Sequence, residues 1–320
     1  MSQARPTATR FGIHPRTVRA LMPAISLAVI VLAIFYLQPR TMSYFGLNLL
    51  LNLAVPLALA TLAQMFIITV NDLDLSIGAY VGLTAGITAT LLNDTPILGA
   101  VALAACVVGY GVLGALIHLR RLPSIVVTLG MSFVWLGLAV ILLPTPGGSA
   151  PDWLRGLMTM KPEFIPFPII ALIVIAIVSH IGLMWSPYGA VLRGVGGNAR
   201  AVERAGWSLL RAKVTMYMLA GIAGALAGMA LVGLSSAADA NFALPYTLLS
   251  IAGVILGGGE FVGGRVSPIG AVIGAATLLL AGSLLTFLKL NPDWQIGAQG
   301  AILIIVLTLR VVVDRGWRRR

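Results

Sequence analysis

Few side chains in this sequence could do chemistry, and most of them fall in three short stretches. The first is TVNDLDLSIGAYVG, Thr69 to Gly82, where Asp72 and Asp74 interrupt long uncharged runs. A carboxylate is costly inside a bilayer and often marks a pathway for solute or ions. Asn71, Asp72, Asp74 and Ser76 are therefore candidate pathway residues. Asp74 has a second reading as a helix cap, accepting backbone N–H bonds near Ser76 and Ile77. Both readings stay open, and one acid can serve each.

The second stretch is GVGGNARAVERAGW, Gly194 to Trp207, with two arginines and a glutamate in a chain that is only 10% charged. It reads as a short helix, with Asn198 as N-cap and Gly206 as its stop. Pro187 and Gly189 are expected to end the apolar run before it. A helix of about eight residues is marginal alone in water. It must pack on its own domain or enter the groove of another protein, and its weak basic amphipathicity favours docking over a lipid surface. Gly197, Asn198, Ala201, Glu203, Ala205 and Gly206 are the candidate docking residues. The third stretch is VILGGGEFVGGRVSPIGAVIGAA, Val254 to Ala276. Gly257, Gly258 and Gly259 are expected to end one helix and Pro268 to start the next. The opening IGAxxG occurs at both Ile77–Gly82 and Ile269–Gly274, a weak sign of an internal repeat.

Other chemistries are missing. No lysine lies in a phosphate-binding loop, and the HExxH, CxxC and GxSxG patterns are absent. Cys106 is the only cysteine, which excludes an intrachain disulfide, and His14, His118 and His180 are scattered without metal-ligand spacing. The expectation is a non-enzyme with no metal or cofactor of its own, leaving transport, a channel or a scaffold.

The elements that carry these stretches follow from composition. The 320 residues are 59% hydrophobic, with mean hydropathy +0.99, well above a soluble domain at ~45–50% apolar. Long runs without strand-like alternation predict an all-α polytopic membrane protein. Ten spans are expected: Arg19–Leu37, Leu47–Val70, Leu75–Leu92, Pro96–His118, Ser124–Leu143, Ile165–Trp185, Val214–Leu234, Tyr246–Gly258, Pro268–Leu288 and Gln295–Val313. The eighth is too short to cross upright, so it either extends back through Asn241 or is a half-helix. Glycines spaced by four, such as Gly78/Gly82/Gly86 and Gly253/Gly257, suit close helix packing in lipid.

The first run lacks a signal-peptidase site and is read as a retained helix. With the N-terminus cytoplasmic, all of the 21 Lys and Arg residues lie inside except Arg40, Arg155, Lys161 and Lys289. That asymmetry orients the chain. It places the basic tail 1–18, the loop 186–213 and the basic tail 314–320 in the cytoplasm, around a single transmembrane domain 1–320. The net charge of +11 thus reflects topology and lipid contact, with no nucleic-acid partner expected.

The blocks DLDLSIGAYVGLTAG, RLPSIVVTLGMSFVWLGLAVIL, RGVGGNARAVERAGWSLLRAKVTMYMLAGIAGALAG and LGGGEFVGGRVSPIGAVIGA, in this order, resemble the permease of ribose/xylose/arabinose-type ABC importers. The resemblance covers most of the chain from about Leu47 to Leu309. It implies a ten-helix subunit in the bacterial inner membrane, paired with a second copy or a paralogous permease. It also implies a cytoplasmic ABC ATPase that binds the ATP and a periplasmic sugar-binding protein. The Asn198–Gly206 helix would then be the coupling helix seated in the ATPase. Two positions depart from the pattern: Val70-Asn71-Asp72-Leu73 replaces Gly-Gly or Gly-Asp before IDLS, and Val266 follows GGR. These departures leave the solute open. The rival readings are an ion-coupled secondary transporter, which would need Asp72 or Asp74 for ion coupling, and a membrane scaffold, which the broken helices disfavour.

Overall fold

Serine opens four of the helices by accepting a hydrogen bond from a backbone N–H three residues on. Ser43 accepts from Gly46 and Ser186 from Gly189, Ser208 from Arg211 and Ser267 from Gly270, at 3.0 to 3.3 Å. After Ser186 and Ser267 a proline takes the first helical position, where its missing N–H costs nothing. The computed structural model describes residues 15–235, 237–261 and 263–289, with isolated residues 297 and 301. Apart from one isolated bridge between Gly147 and Ala238, the regular structure among these is helical.

In order the helices are α1 Pro15–Leu37, α2 Tyr44–Leu51, α3 Ala54–Thr69, α4 Ile77–Ile87, α5 Pro96–Arg120, α6 Ser124–Leu142, α7 Asp152–Met158, α8 Phe167–His180, α9 Pro187–Arg204, α10 Leu209–Leu234, α11 Tyr246–Leu256 and α12 Pro268–Phe287. Helices α4 and α8 run on through π-helical turns at Thr88–Leu92 and Ile181–Trp185. Among the described residues six apolar helices are long enough to cross a membrane: Tyr44–Thr69, α5, α6, Phe167–Trp185, α10 and α12. Leu21–Leu37, Ile77–Leu92 and Tyr246–Leu256 are shorter apolar helices. Together these nine correspond to the first nine expected spans. The tenth, Gln295–Val313, lies outside the described residues except at 297 and 301, as do the tail ahead of Pro15 and the tail 314–320.

Helices α3 and α10 form the centre. Of the apolar window in Tyr44–Thr69, 78% is buried, and 67% of that in α10, against 17% in α6 and in α8 at the rim. Helix α10 packs on α3, α4 and α5, while α3 also meets α8, α11 and α12. The centre is closed by small residues: a β-carbon at Gly224 would meet the Tyr80 ring and one at Gly228 would meet Thr84 and Val81. Between α11 and α12, Gly253 faces Gly274 and Gly257 faces Gly270, backbone against backbone. Close approach of this kind replaces hydrophobic drive where lipid is as apolar as the side chains.

Three expectations are refined. The sixth span ends at Trp185, with Ser186 extended ahead of Pro187, but Gly189 lies inside the next helix. Ser186 and Pro187 start α9, which runs as helix to a kink at Asn198 (φ −155°, ψ 86°). Ser186-Pro187 does both: the proline holds the residue ahead of it out of helical backbone and suits the first turn of the next helix. The connection 144–166 is not all loop, because α7 forms there and buries Leu154 and Met158 against the end of α10. Of the two readings open for the eighth segment the short one fits: α11 has 11 residues, preceded by turns at 240–245. Those turns lie on α4, with Ala240 against Gly82 and Ala243 against Gly78. Non-helical backbone at such depth is tolerated because it is buried in protein.

Candidate functional site

The bundle gathers its connections at two ends. At one end the α3–α4 linker meets the start of α6, where Ser124 Oγ accepts from Leu73 N and Thr128 Oγ1 from Leu75 N (3.2 and 3.0 Å). Arg193, Lys213 and Arg265 also belong to this end. At the other end Tyr44 donates to Pro162 O (2.6 Å) and Gly147 pairs with Ala238, near Arg155 and Lys161 in sequence. The candidate residues of the sequence lie on the first end or lead inward from it.

Asn71 follows the last turn of α3 with φ +61°, the left-handed region that asparagine enters more readily than other side chains. Its amide bridges two distant segments. Nδ2 donates to Gly196 O of α9 (2.7 Å), and Oδ1 accepts from Gly263 N (3.1 Å). The backbones converge here: a β-carbon on Gly196 would strike Thr69 O and Gly264, and one on Gly264 would strike Arg193 O. Asp72 lies beside Lys213 Nζ at 2.8 Å and accepts from the Tyr217 hydroxyl at 3.0 Å. Both charged side chains are largely buried, 10% exposed for Asp72 and 15% for Lys213.

Asp74 is fully buried. Its Oδ1 accepts from Ser76 N and Ser76 Oγ, both at 2.6 Å, and its Oδ2 accepts from the Tyr110 hydroxyl at 2.7 Å. Gln64, with its amide oriented to satisfy both groups, spans the backbone N–H and C=O of Asp74 at 3.2 and 2.9 Å. Tyr80 and Trp135 cover the cluster, with Trp135 stacked at 6.1 Å on Tyr110. Asp74 lies between Leu73 and Leu75, which bond Ser124 and Thr128 in the first turns of α6, and it reaches across to Tyr110 of α5. The backbone N–H it accepts from is that of Ser76, the residue just ahead of α4, and not one inside the helix.

The Asn198–Gly206 segment has the opposite character. Gly197, Asn198, Ala201, Glu203, Ala205 and Gly206 are all exposed. Asn198 Oδ1 accepts from Ala201 N at 3.1 Å, so the N-cap forms. At the exit Gly206 has φ +84°, with Gly206 N bonded to Glu203 O and Trp207 N to Val202 O. This is the Schellman arrangement that stops a helix. The helix therefore satisfies its own ends, while its charges face outward. Val202 is turned inward and lies against Gly194. Among the described residues Glu203 has no ion pair.

Gly257 caps α11, Gly258 takes φ +98° and Pro268 opens α12, so the expected helix break is present. It forms a separate contact, closed by Glu260 N on Arg265 O, and is joined to Asn71 through Gly263 rather than to Asp74. Both IGAxxG openings do the same job, packing against the segment that carries α11. Sequence reading missed Gln64, Tyr110 and Tyr217 as polar partners. Their signal was faint: a lone amide and two hydroxyl-bearing aromatics inside apolar runs. Among the described residues no group of three His, Cys, Asp or Glu could hold a metal.

Comparison with known proteins is consistent along nearly the whole chain. The sequence model of the family described as "Branched-chain amino acid transport system / permease component" matches residues 46–307. The chain is 27% identical to the ribose import permease protein RbsC of Bacillus subtilis (strain 168), over 90% of this chain and 92% of the relative. It is 29% identical to the galactose/methyl galactoside import permease protein MglC of Haemophilus influenzae, over 82% and 84%. It is also 27% identical to the probable ABC transporter permease protein YphD of Escherichia coli (strain K12), over 90% and 89%. No solved structure gives a significant match.

Proposed function

Because the chain belongs to this family of transport-system permease components, we propose that it is the membrane-spanning subunit of an ATP-driven importer for a monosaccharide or related polyol. The observation that carries the reading is the exposed helix at Asn198–Gly206, capped at both ends and presenting charge outward. If uptake is driven by ATP, a chain without a phosphate-binding loop takes that energy from a partner, and this helix is the surface that fits one. In this reading a cytoplasmic ABC ATPase receives the helix. A periplasmic binding protein delivers the solute, and a second copy or a paralogous permease completes the path.

The sugar class is supported by relatives named for ribose and galactose import. The family description favours a second cargo, a branched-chain amino acid. Uptake into proteoliposomes holding the permease, its ATPase and its binding protein separates them. ATP-dependent accumulation of ribose, galactose or a polyol supports the first, and accumulation of leucine or valine alone replaces it. ATP-independent accumulation in an ion gradient would favour a secondary transporter. The geometry argues against that rival, since Asp72 is paired with Lys213 and Asp74 accepts hydrogen bonds on both oxygens from its own chain.

The reading puts both termini and residues 186–213 in the cytoplasm of a bacterial inner membrane. Single cysteines at Arg204, Arg319 and Asp152, with Cys106 replaced, test it. Labelling of the first two from the cytoplasm and of the third from the periplasm is expected. Labelling of positions 204 and 152 from one side would refute the arrangement.

A further inference from the structure

The exposed helix is held at two points, and neighbouring residues of one short linker hold both. Before it, Gly196 O accepts from Asn71 Nδ2. After it, Lys213 pairs with Asp72. The linker has little slack, since α3 ends at Thr69 and Asp74 is fixed into the core by Ser76 and Tyr110. The same Asn71 amide reaches on to Gly263, in the connection to α12. A loop tied at one end can swing without moving what it is tied to. A loop tied at both ends to consecutive residues displaces them when it moves.

Resting on the reading of Asn198–Gly206 as the ATPase contact, we infer that Asn71 and Asp72 are positioning residues that clasp the two ends of the coupling loop. Movement of the helix is passed through them to the α3–α4 linker and, through Asn71, to the entry of α12. The clasps are chemically independent: Asn71 works by a neutral amide in a left-handed turn, and Asp72 by a desolvated charge pair. Neither has to touch solute. Asn71 spends its amide on two backbone groups, and Asp72 is taken up by Lys213 and Tyr217.

The test uses the reconstituted importer with ATPase and loaded binding protein. Asn71→Gly keeps the left-handed turn but loses both bonds. Asp72→Asn/Lys213→Met removes both charges and leaves neither orphaned. Each variant is expected to assemble and to keep its KM for loaded binding protein. ATP hydrolysed per solute transported should rise by about fivefold or more, the low end of a typical coupling between sites. A solute-contacting role would move KM instead. Wild-type ATP-to-solute ratios in both variants would overturn the clasp, as would failure of both to assemble, which would make the contacts purely structural. Ala201→Trp separates the two levels of the argument. If it keeps binding-protein stimulation, the ATPase-contact reading fails. If it loses stimulation while the clasp variants stay coupled, only the clasp fails.

Discussion

Asp74 and Glu203 are two of only ten acidic residues in the chain, and the fold treats them in opposite ways. Asp74 is withdrawn from solvent, and each of its oxygens accepts at least one hydrogen bond. Glu203 is left exposed on a helix whose ends are already satisfied. A buried carboxylate has to be matched by donors from its own chain, because nothing else is there to solvate it. An exposed one costs little to keep and is free to meet a partner. The same difference separates their regions: the α3–α4 linker is spent on internal contacts, while Asn198–Gly206 keeps its outer surface available.

The comparison breaks first where the internal region is tightest. Gly196→Leu should have the largest effect, because a side chain there meets Thr69 O and Gly264. The α3–α9 contact would not form, and the variant should be lost from the membrane fraction by fluorescence size-exclusion analysis. Asp72→Ala should be next, at about 3–5 kcal/mol, since it strands Lys213 with its charge unpaired. The readout is a lower melting temperature in detergent, with partial recovery in Asp72→Ala/Lys213→Met.

Asp74→Asn should cost about 1 kcal/mol. The amide oxygen still accepts from Ser76, and the amide nitrogen can donate to the Tyr110 oxygen in place of the hydrogen bond it received. A loss of transport at near-normal melting temperature would instead assign the carboxylate a direct role in the pathway. Ala201→Trp should be smallest in stability, within about 0.5 kcal/mol, because Ala201 is exposed. Its effect should appear only in the assembled importer, as lost stimulation of ATP hydrolysis by loaded binding protein. A destabilised Ala201→Trp would move this helix into the same class as the linker. Glu203→Lys sharpens the contrast further: its loss of coupling should depend on salt, as contacts between exposed charges do.

Local signals made much of the fold legible. Runs of apolar residues defined the helices, and Asn198, Gly206, Gly257 and Pro268 occupy the cap and break positions that their own chemistry suggests. Those features depend on residues within one turn of each other, so the sequence contains both partners side by side. The serine–proline at Ser186-Pro187 was read only in part: the stop after Trp185 was expected, and the helix that starts at Pro187 was not. Helix α7 was missed because seven residues give too little periodicity to see.

The linker could not be read in the same way. Asn71 binds residues 125 and 192 positions away, and Tyr217 meets Asp72 across 145. Nothing near Asp72 in the chain distinguishes a paired carboxylate from a free one, and nothing near Asp74 names Tyr110 as its donor. The sequence alone determined that this chain fills a membrane with helices, where most of those helices begin and end, and that its acids are few enough to matter. Which acid is paired, which is buried among hydrogen-bond donors and which is left exposed was decided by tertiary structure, because desolvation and hydrogen bonding depend on what the bundle brings alongside.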